Sequence, residues 1–304
     1  MNRPASLRPT RLSIPLVLGC LLFGPSVPAQ TAPDYFAAAN AKQSQWNFDG
    51  AIADYTRALE LDPQYAQACN NRGNARQAKG DLAGAVADYS RVVELLPRYA
   101  PAYNNRGTAR DAMGDHAGAI ADYNQALAID PDYGRAYYNR GIAKSREFNF
   151  KGARDDFSRA IEKNPRDALA FYGRGNAQAA LGAQTAAIAD YTRALYLSPQ
   201  LAAAYNDRGN AHIMMEDFPR AIADYTRTIE LDPGNAVAFC NRGLAQARNS
   251  NPDAALDDYN RALVLNPRYA KAYEDRAPVR RKLGDAAGAA ADEQMVVQLT
   301  AGAK

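Results

Sequence analysis

Histidine, cysteine and long apolar runs are nearly absent from this chain. Of its 304 residues, two are histidine, His116 and His212, and three are cysteine, Cys20, Cys69 and Cys240. The two histidines are far apart, and no group of His, Cys and carboxylates has metal-ligand spacing. A glycine-rich phosphate loop and a nucleophile motif are missing too. The expectation is a protein that is not an enzyme and needs neither metal nor cofactor. The one notable apolar run, Leu12 to Phe23, is shorter than the roughly 20 residues of a spanning helix.

An excess of charge is also lacking once the first residues are set aside. Arg3, Arg8 and Arg11 precede the apolar run, and Val27-Pro28-Ala29 follows it as a small-residue cleavage site. Basic, apolar, small is the order of a secretory signal peptide, with the cut after Ala29. A disordered tail is the bland alternative. Val17-Leu18-Gly19-Cys20 also reads as a weak lipobox; lipidation of Cys20 would tether the chain to a membrane. Residues 1–29 hold three of the 36 basic residues and no acid, leaving 33 basic against 33 acidic residues. A net-neutral mature chain gives no support to nucleic-acid binding.

What is present is a period. Prolines fall at Pro63, Pro97, Pro131, Pro165, Pro199, Pro233 and Pro267, and glycines at Gly73, Gly107, Gly141, Gly175, Gly209 and Gly243, every step 34 residues. Ala51 and its equivalents through Ala289 keep the same step. So do the rings Tyr55, Tyr89, Tyr123, Phe157, Tyr191, Tyr225 and Tyr259. One unit, Ala100 to Tyr133, reads as two short helices. Gly114 ends the first and Asp115 caps the second. Ala119, Ile120, Tyr123 and Leu127 then share one face, and Asp130-Pro131 closes the unit. Asn47, Asp81, Asn149, Asp217 and Asn251 stand where Asp115 does, with Ala183 the exception.

A helix–turn–helix unit of this length and residue order resembles the tetratricopeptide repeat, TPR. The resemblance covers residues 32–303 as eight units: 32–65, 66–99, 100–133, 134–167, 168–201, 202–235, 236–269 and a decayed capping unit, 270–303. It implies an all-α solenoid, an open right-handed superhelix whose groove is lined by the first helices. In the first unit Ala39 replaces the recurring glycine. In the last, Ala277, Glu293 and Ala301 replace Gly, ring and Pro, and Pro278 is expected to kink the first helix. Cys69 and Cys240 lie ten helices apart, beyond disulfide reach, and Cys69 takes the core slot of Tyr103.

Two ladders recur. Arg72, Arg106, Arg140, Arg174, Arg208, Arg242 and Arg276 stand once per unit, as do Asp54, Asp88, Asp122, Asp156, Asp190, Asp224, Asp258 and Asp292. Many TPR sequences place an apolar residue where these arginines stand. A planar guanidinium on a half-buried face needs a carboxylate, so the reading is an Arg–Asp ladder between helices, with ligand binding the rival.

In TPR proteins the second, fifth, sixth and ninth positions of first helices tend to face inward. Here they hold Asn70, Asn71, Asn74, Asn104, Asn105, Asn139, Asn176, Asn206, Asn210 and Asn241, interrupted by Tyr138, Ile142, Leu169 and Tyr172. This resembles the asparagine ladders with which long TPR superhelices hold extended peptides. An amide offers both donors and an acceptor to any peptide unit; capping or solvating the helices is the alternative use. The carboxylate-clamp pattern lacks its first lysine. The expectation is an exported, non-catalytic scaffold of a bacterial cell envelope or periplasm that binds a protein or extended peptide. A lipid-anchored assembly factor, or a subunit of an enzyme complex, is the alternative.

Overall fold

The computed structural model describes residues 30–301, so the expected signal segment and Cys20 lie outside the described residues. Sixteen α-helices and no strand occur among the described residues. They are α1 (Ala32–Ser44), α2 (Phe48–Leu61), α3 (Ala66–Ala78), α4 (Leu82–Leu95), α5 (Ala100–Ala112), α6 (His116–Ile129), α7 (Gly134–Arg146) and α8 (Phe150–Lys163). The series continues with α9 (Ala168–Ala180), α10 (Gln184–Leu197), α11 (Ala202–Met214), α12 (Phe218–Leu231), α13 (Ala236–Arg248), α14 (Pro252–Leu265), α15 (Ala270–Lys282) and α16 (Ala286–Ala301). Each helix packs on the next. Contacts between alternate helices run along the odd series, such as α5 with α7 and α7 with α9. The odd helices therefore line the inner side of the solenoid. No described helix is long and apolar enough to cross a membrane.

Local chemistry sets the ends. Asn47, Asp81, Asp115, Asn149 and Asp217 each accept a backbone N–H at the start of an even helix. Asn251 does not; its side chain makes no capping bond, and Pro252 opens α14 instead. Gly80, Gly114, Gly182 and Gly284 turn the chain with positive φ. The equivalent residues of other units are Trp46, Phe148, Glu216 and Ser250, forced to φ near +60°. Trp46 and Phe148 stay exposed, each edge-on to an aromatic two residues along. Helix α15 runs through Pro278 to Lys282, with the proline inside it.

The core of each unit is a ring laid on a glycine. A Cβ at Gly107 would come within 2.8 Å of the Tyr123 ring, and one at Gly175 within 2.6 Å of Tyr191. The ring hydroxyl then bonds a ninth-position side chain: Tyr89 to Asn74, Tyr191 to Asn176 and Tyr225 to Asn210, each at 2.8 Å. In the fourth unit the ninth position is Ile142 and the ring is Phe157, which has no hydroxyl to satisfy. In the seventh it is Leu244, and the Tyr259 hydroxyl is buried without a partner.

The arginine ladder forms as the recurrence indicates. Seven arginines grip the aspartate sixteen residues on through Nε and Nη2, as Arg106 does to Asp122 at 2.6 Å and Arg276 to Asp292 at 2.6 Å. The same guanidinium reaches back sixteen residues to the preceding unit. Arg72 donates to Thr56 at 3.1 Å, Arg106 to Ser90 at 3.2 Å and Arg208 to Thr192 at 3.0 Å. Each arginine thus pins its own two helices and the previous unit together. The aspartates are buried, which is tolerable only because they are paired.

Candidate functional site

The inner face is a chain of amides. Asn139 donates to Asn104 at 3.0 Å, Asn104 to Asn105 at 3.5 Å, Asn105 to Asn70 at 3.3 Å, Asn70 to Asn71 at 3.2 Å, and Asn71 to Asn40 at 3.0 Å. A second run links Asn241 to Asn206 at 3.3 Å and Asn206 to Asp207 at 3.1 Å. The asparagines therefore bond first to one another and to core tyrosines, a use distinct from capping or solvating the helices. Asn104 is buried, only 2% exposed. Asn176 and Asn210 are exposed, and Asn70, Asn71, Asn74, Asn105, Asn139, Asn206 and Asn241 are half-buried with lone pairs or amide hydrogens still facing the groove.

The two runs are broken between α7 and α9. There Tyr138, Ile142, Leu169 and Tyr172 come together around one cavity of about 350 Å³, with Phe157 as its floor and Ser145, Arg146, Gly173 and Asn176 at its edge. Tyr138 meets Phe157 edge-on at 5.8 Å between ring centres. Leu169 is 49% exposed, so its side chain is open to a partner. Periodicity did not mark Phe157, Arg146 or Gly173 as part of this site. For Gly173 the signal lies 35 residues from Tyr138, one more than the repeat length, where a residue on one first helix meets its neighbour on the next; Phe157 enters from the second helix α8 as the recurring core ring.

Electrostatics differ on the two sides of the cavity. Tyr172 donates to Asp207 at 2.7 Å. Its hydroxyl is pushed up to about 12, first by burial and then by that carboxylate. Burial likewise raises Tyr138. Arg146 is engaged by Asp111, which also meets His116 at 2.7 Å. Among the described residues no group of His, Cys and carboxylates could hold a metal ion. Cys69 and Cys240 are buried free thiols, both raised by burial.

Comparison with known proteins follows this geometry. Models described as "TPR repeat" match residues 40–80 and 112–146, and models described as "Tetratricopeptide repeat" match 66–99, 149–202, 202–235 and 236–269. Together they cover well over half of the chain. No curated protein matches it. Among solved structures, YrrB, described as a TPR protein with an unusual peptide-binding site, is 25% identical with a TM-score of 0.55, over 61% of this chain and 96% of YrrB. A tetratricopeptide repeat protein from Parabacteroides merdae is 19% identical with a TM-score of 0.61, over 82% of this chain and 99% of its own. The MamA protein is 24% identical with a TM-score of 0.52, over 57% and 95%.

Proposed function

This chain belongs to the tetratricopeptide-repeat proteins, and from that premise we propose that it holds an extended protein segment along its inner face without catalysing a reaction. The observation that carries the proposal is the central cavity. Tyr138, Ile142, Leu169 and Tyr172 form an apolar seat between two stretches of half-buried amides. Amides at Asn70, Asn71, Asn74, Asn105, Asn139, Asn176, Asn206, Asn210 and Asn241 would hold the segment's backbone. Each bond contributes about 0.5–1.5 kcal/mol net, and the aromatic seat would dominate affinity. The peptide-binding site named for YrrB supports the same reading.

A partner captured by crosslinking tests it. The double variant Tyr138→Ala with Tyr172→Ala is expected to weaken binding by at least about 2 kcal/mol, the size of a hot spot, while circular dichroism shows the fold intact. Unchanged binding would overturn the proposal. Loss of the fold would assign both tyrosines to the core.

The place of action proposed is a bacterial cell envelope. Arg3 to Ala29 supports this by its basic, apolar, small order. Mass analysis of the native protein is expected to find a mature chain beginning at Gln30. A chain still beginning at Met1 rules out export, and a lipid-modified Cys20 terminus identifies a membrane-anchored form.

A further inference from the structure

Along the inner face from the second unit on, the fifth residue of one first helix meets the sixth residue of the next, 35 positions on, and the polar pairs are matched as donor and acceptor; at the first junction the fifth residue is Phe36, and Asn71 bonds Asn40 instead. Where the fifth residue is an asparagine, the next sixth is also an asparagine: Asn105 donates to Asn70, Asn139 to Asn104 and Asn241 to Asn206. Where the fifth residue is a donor, the next sixth is a carboxylate. Tyr172 donates to Asp207 at 2.7 Å, and the Cys240 thiol faces Asp275 at 3.9 Å.

Tyr138 breaks the match. Its hydroxyl is a donor, but the residue 35 positions on is Gly173, which has no side chain. Among the described residues the Tyr138 hydroxyl makes no hydrogen bond. The gap cannot be filled from within the chain, because a Cβ at Gly173 would lie 2.7 Å from the Phe157 ring. A second donor faces the same place. Asn176 stands to the gap as Asn210 stands to Asp207, which Asn210 approaches at 3.5 Å. Asn176 accepts from Tyr191 through its oxygen, and its amide nitrogen, which carries two hydrogens, also reaches toward the Tyr172 hydroxyl.

We propose, resting on the peptide-groove reading above, that this gap seats a backbone carbonyl of the bound segment. One large apolar side chain enters between Ile142, Phe157, Leu169 and Tyr172. The carbonyl oxygen of that same residue accepts from Tyr138, in the position that Asp207 occupies beside Tyr172. A carbonyl fits better than a carboxylate. Asp207 is surrounded by three donors, whereas the gap offers two, both uncharged. The cation lining the cavity, Arg146, is already engaged by Asp111. A carboxylate would enter a half-buried site without a charge to meet it.

The test uses the chain from residue 30 to 304 and acetylated, amidated heptapeptides of glycine and serine with one central phenylalanine or alanine. Calorimetry or NMR titration reads the affinities. The phenylalanine peptide is expected to bind more tightly than the alanine peptide. Tyr138→Phe, which keeps the ring and removes the donor, is expected to weaken it about 2- to 12-fold, the range of one net hydrogen bond. An ester in place of the amide that follows the phenylalanine weakens the carbonyl as an acceptor. It is expected to lower affinity for the natural chain and to leave the Tyr138→Phe variant unaffected. Equal binding by Tyr138→Phe would overturn the carbonyl seat while leaving the groove reading in place. A peptide ending in phenylalanine as the free acid, bound tenfold more tightly than the amide, would overturn it in favour of a carboxylate. Binding of no probe at all would overturn both.

Discussion

Replacing Arg174 by leucine is expected to lower stability by about 3–5 kcal/mol, the cost of leaving one member of a buried pair alone. Arg174 holds Asp190 at 2.7 and 2.8 Å and reaches back to Ser158 at 3.2 Å. The Asp190 side chain is 8% exposed and that of Arg174 24%, which places the expected cost toward the lower end of the range. What sets this unit apart from the second, third and fourth is the residue one turn on. Arg76, Arg110 and Lys144 bring a second cation to Asp88, Asp122 and Asp156, each at 2.8 Å. In the fifth unit that residue is Gln178, whose own oxygen is buried without a partner. Arg106→Leu is therefore expected to cost less, because Arg110 remains on Asp122. Urea denaturation checks the order. Equal shifts would show that the second cation contributes nothing, and unchanged midpoints that both arginines are solvated.

Tyr225→Ala is expected to cost about 3–5 kcal/mol, the usual price of deleting a buried aromatic ring. The ring is 1% exposed and lies on Gly209, where a Cβ would come within 2.8 Å. The ring packs with Ala221 and Ala245, whose small side chains cannot fill the space it would leave. The hydroxyl is a separate quantity. Tyr225→Phe loses one bond to Asn210, worth about 1 kcal/mol. Tyr259→Phe is expected to change sign and stabilise by about 1 kcal/mol, since an unsatisfied buried hydroxyl costs roughly 1–3 kcal/mol. A loss of stability in Tyr259→Phe would mean that a buried water completes that hydroxyl.

The helix pairs, the ring-on-glycine core and the Arg–Asp pairing were legible because each leaves the same residue at the same place in every unit. Period alone exposes them. Most caps were legible for the same reason, although Asn251 carries the right residue without the bond. The backward reach of the arginines to Thr56, Ser90 and Thr192 was not, because Thr, Ser and Asn share that slot and no single residue type recurs. The state of the groove amides was hidden by a different cause. Whether Asn105 is spent or open depends on residue 70, and whether Tyr138 has a partner depends on residue 173. Those pairs are offset by one from the repeat, so a comparison of equivalent positions passes over them. The turn between the two helices of each unit keeps its positive φ but not its residue type, so Trp46 and Phe148 stand there in glycine's place and sequence alone does not announce the conformation.

The backward bond of each arginine also bears on how such a chain can change its length. Its partner is always the hydroxyl or amide sixteen residues earlier, whichever unit supplies it. Excision of residues 66–99 would bring Arg106 against Thr56, which already serves Arg72, and Asn105 against Asn40, which already serves Asn71. Gene rearrangements in steps of 34 codons therefore keep the joints of the N-terminal arm intact. The same freedom stops at the centre. Tyr138 with Gly173 is not interchangeable with the asparagine pairs, so loss of unit 134–167 or unit 168–201, which together line the cavity, would erase it. Whole-unit changes of length thus preserve the joints of the N-terminal arm, while the two units that line the cavity must stay side by side.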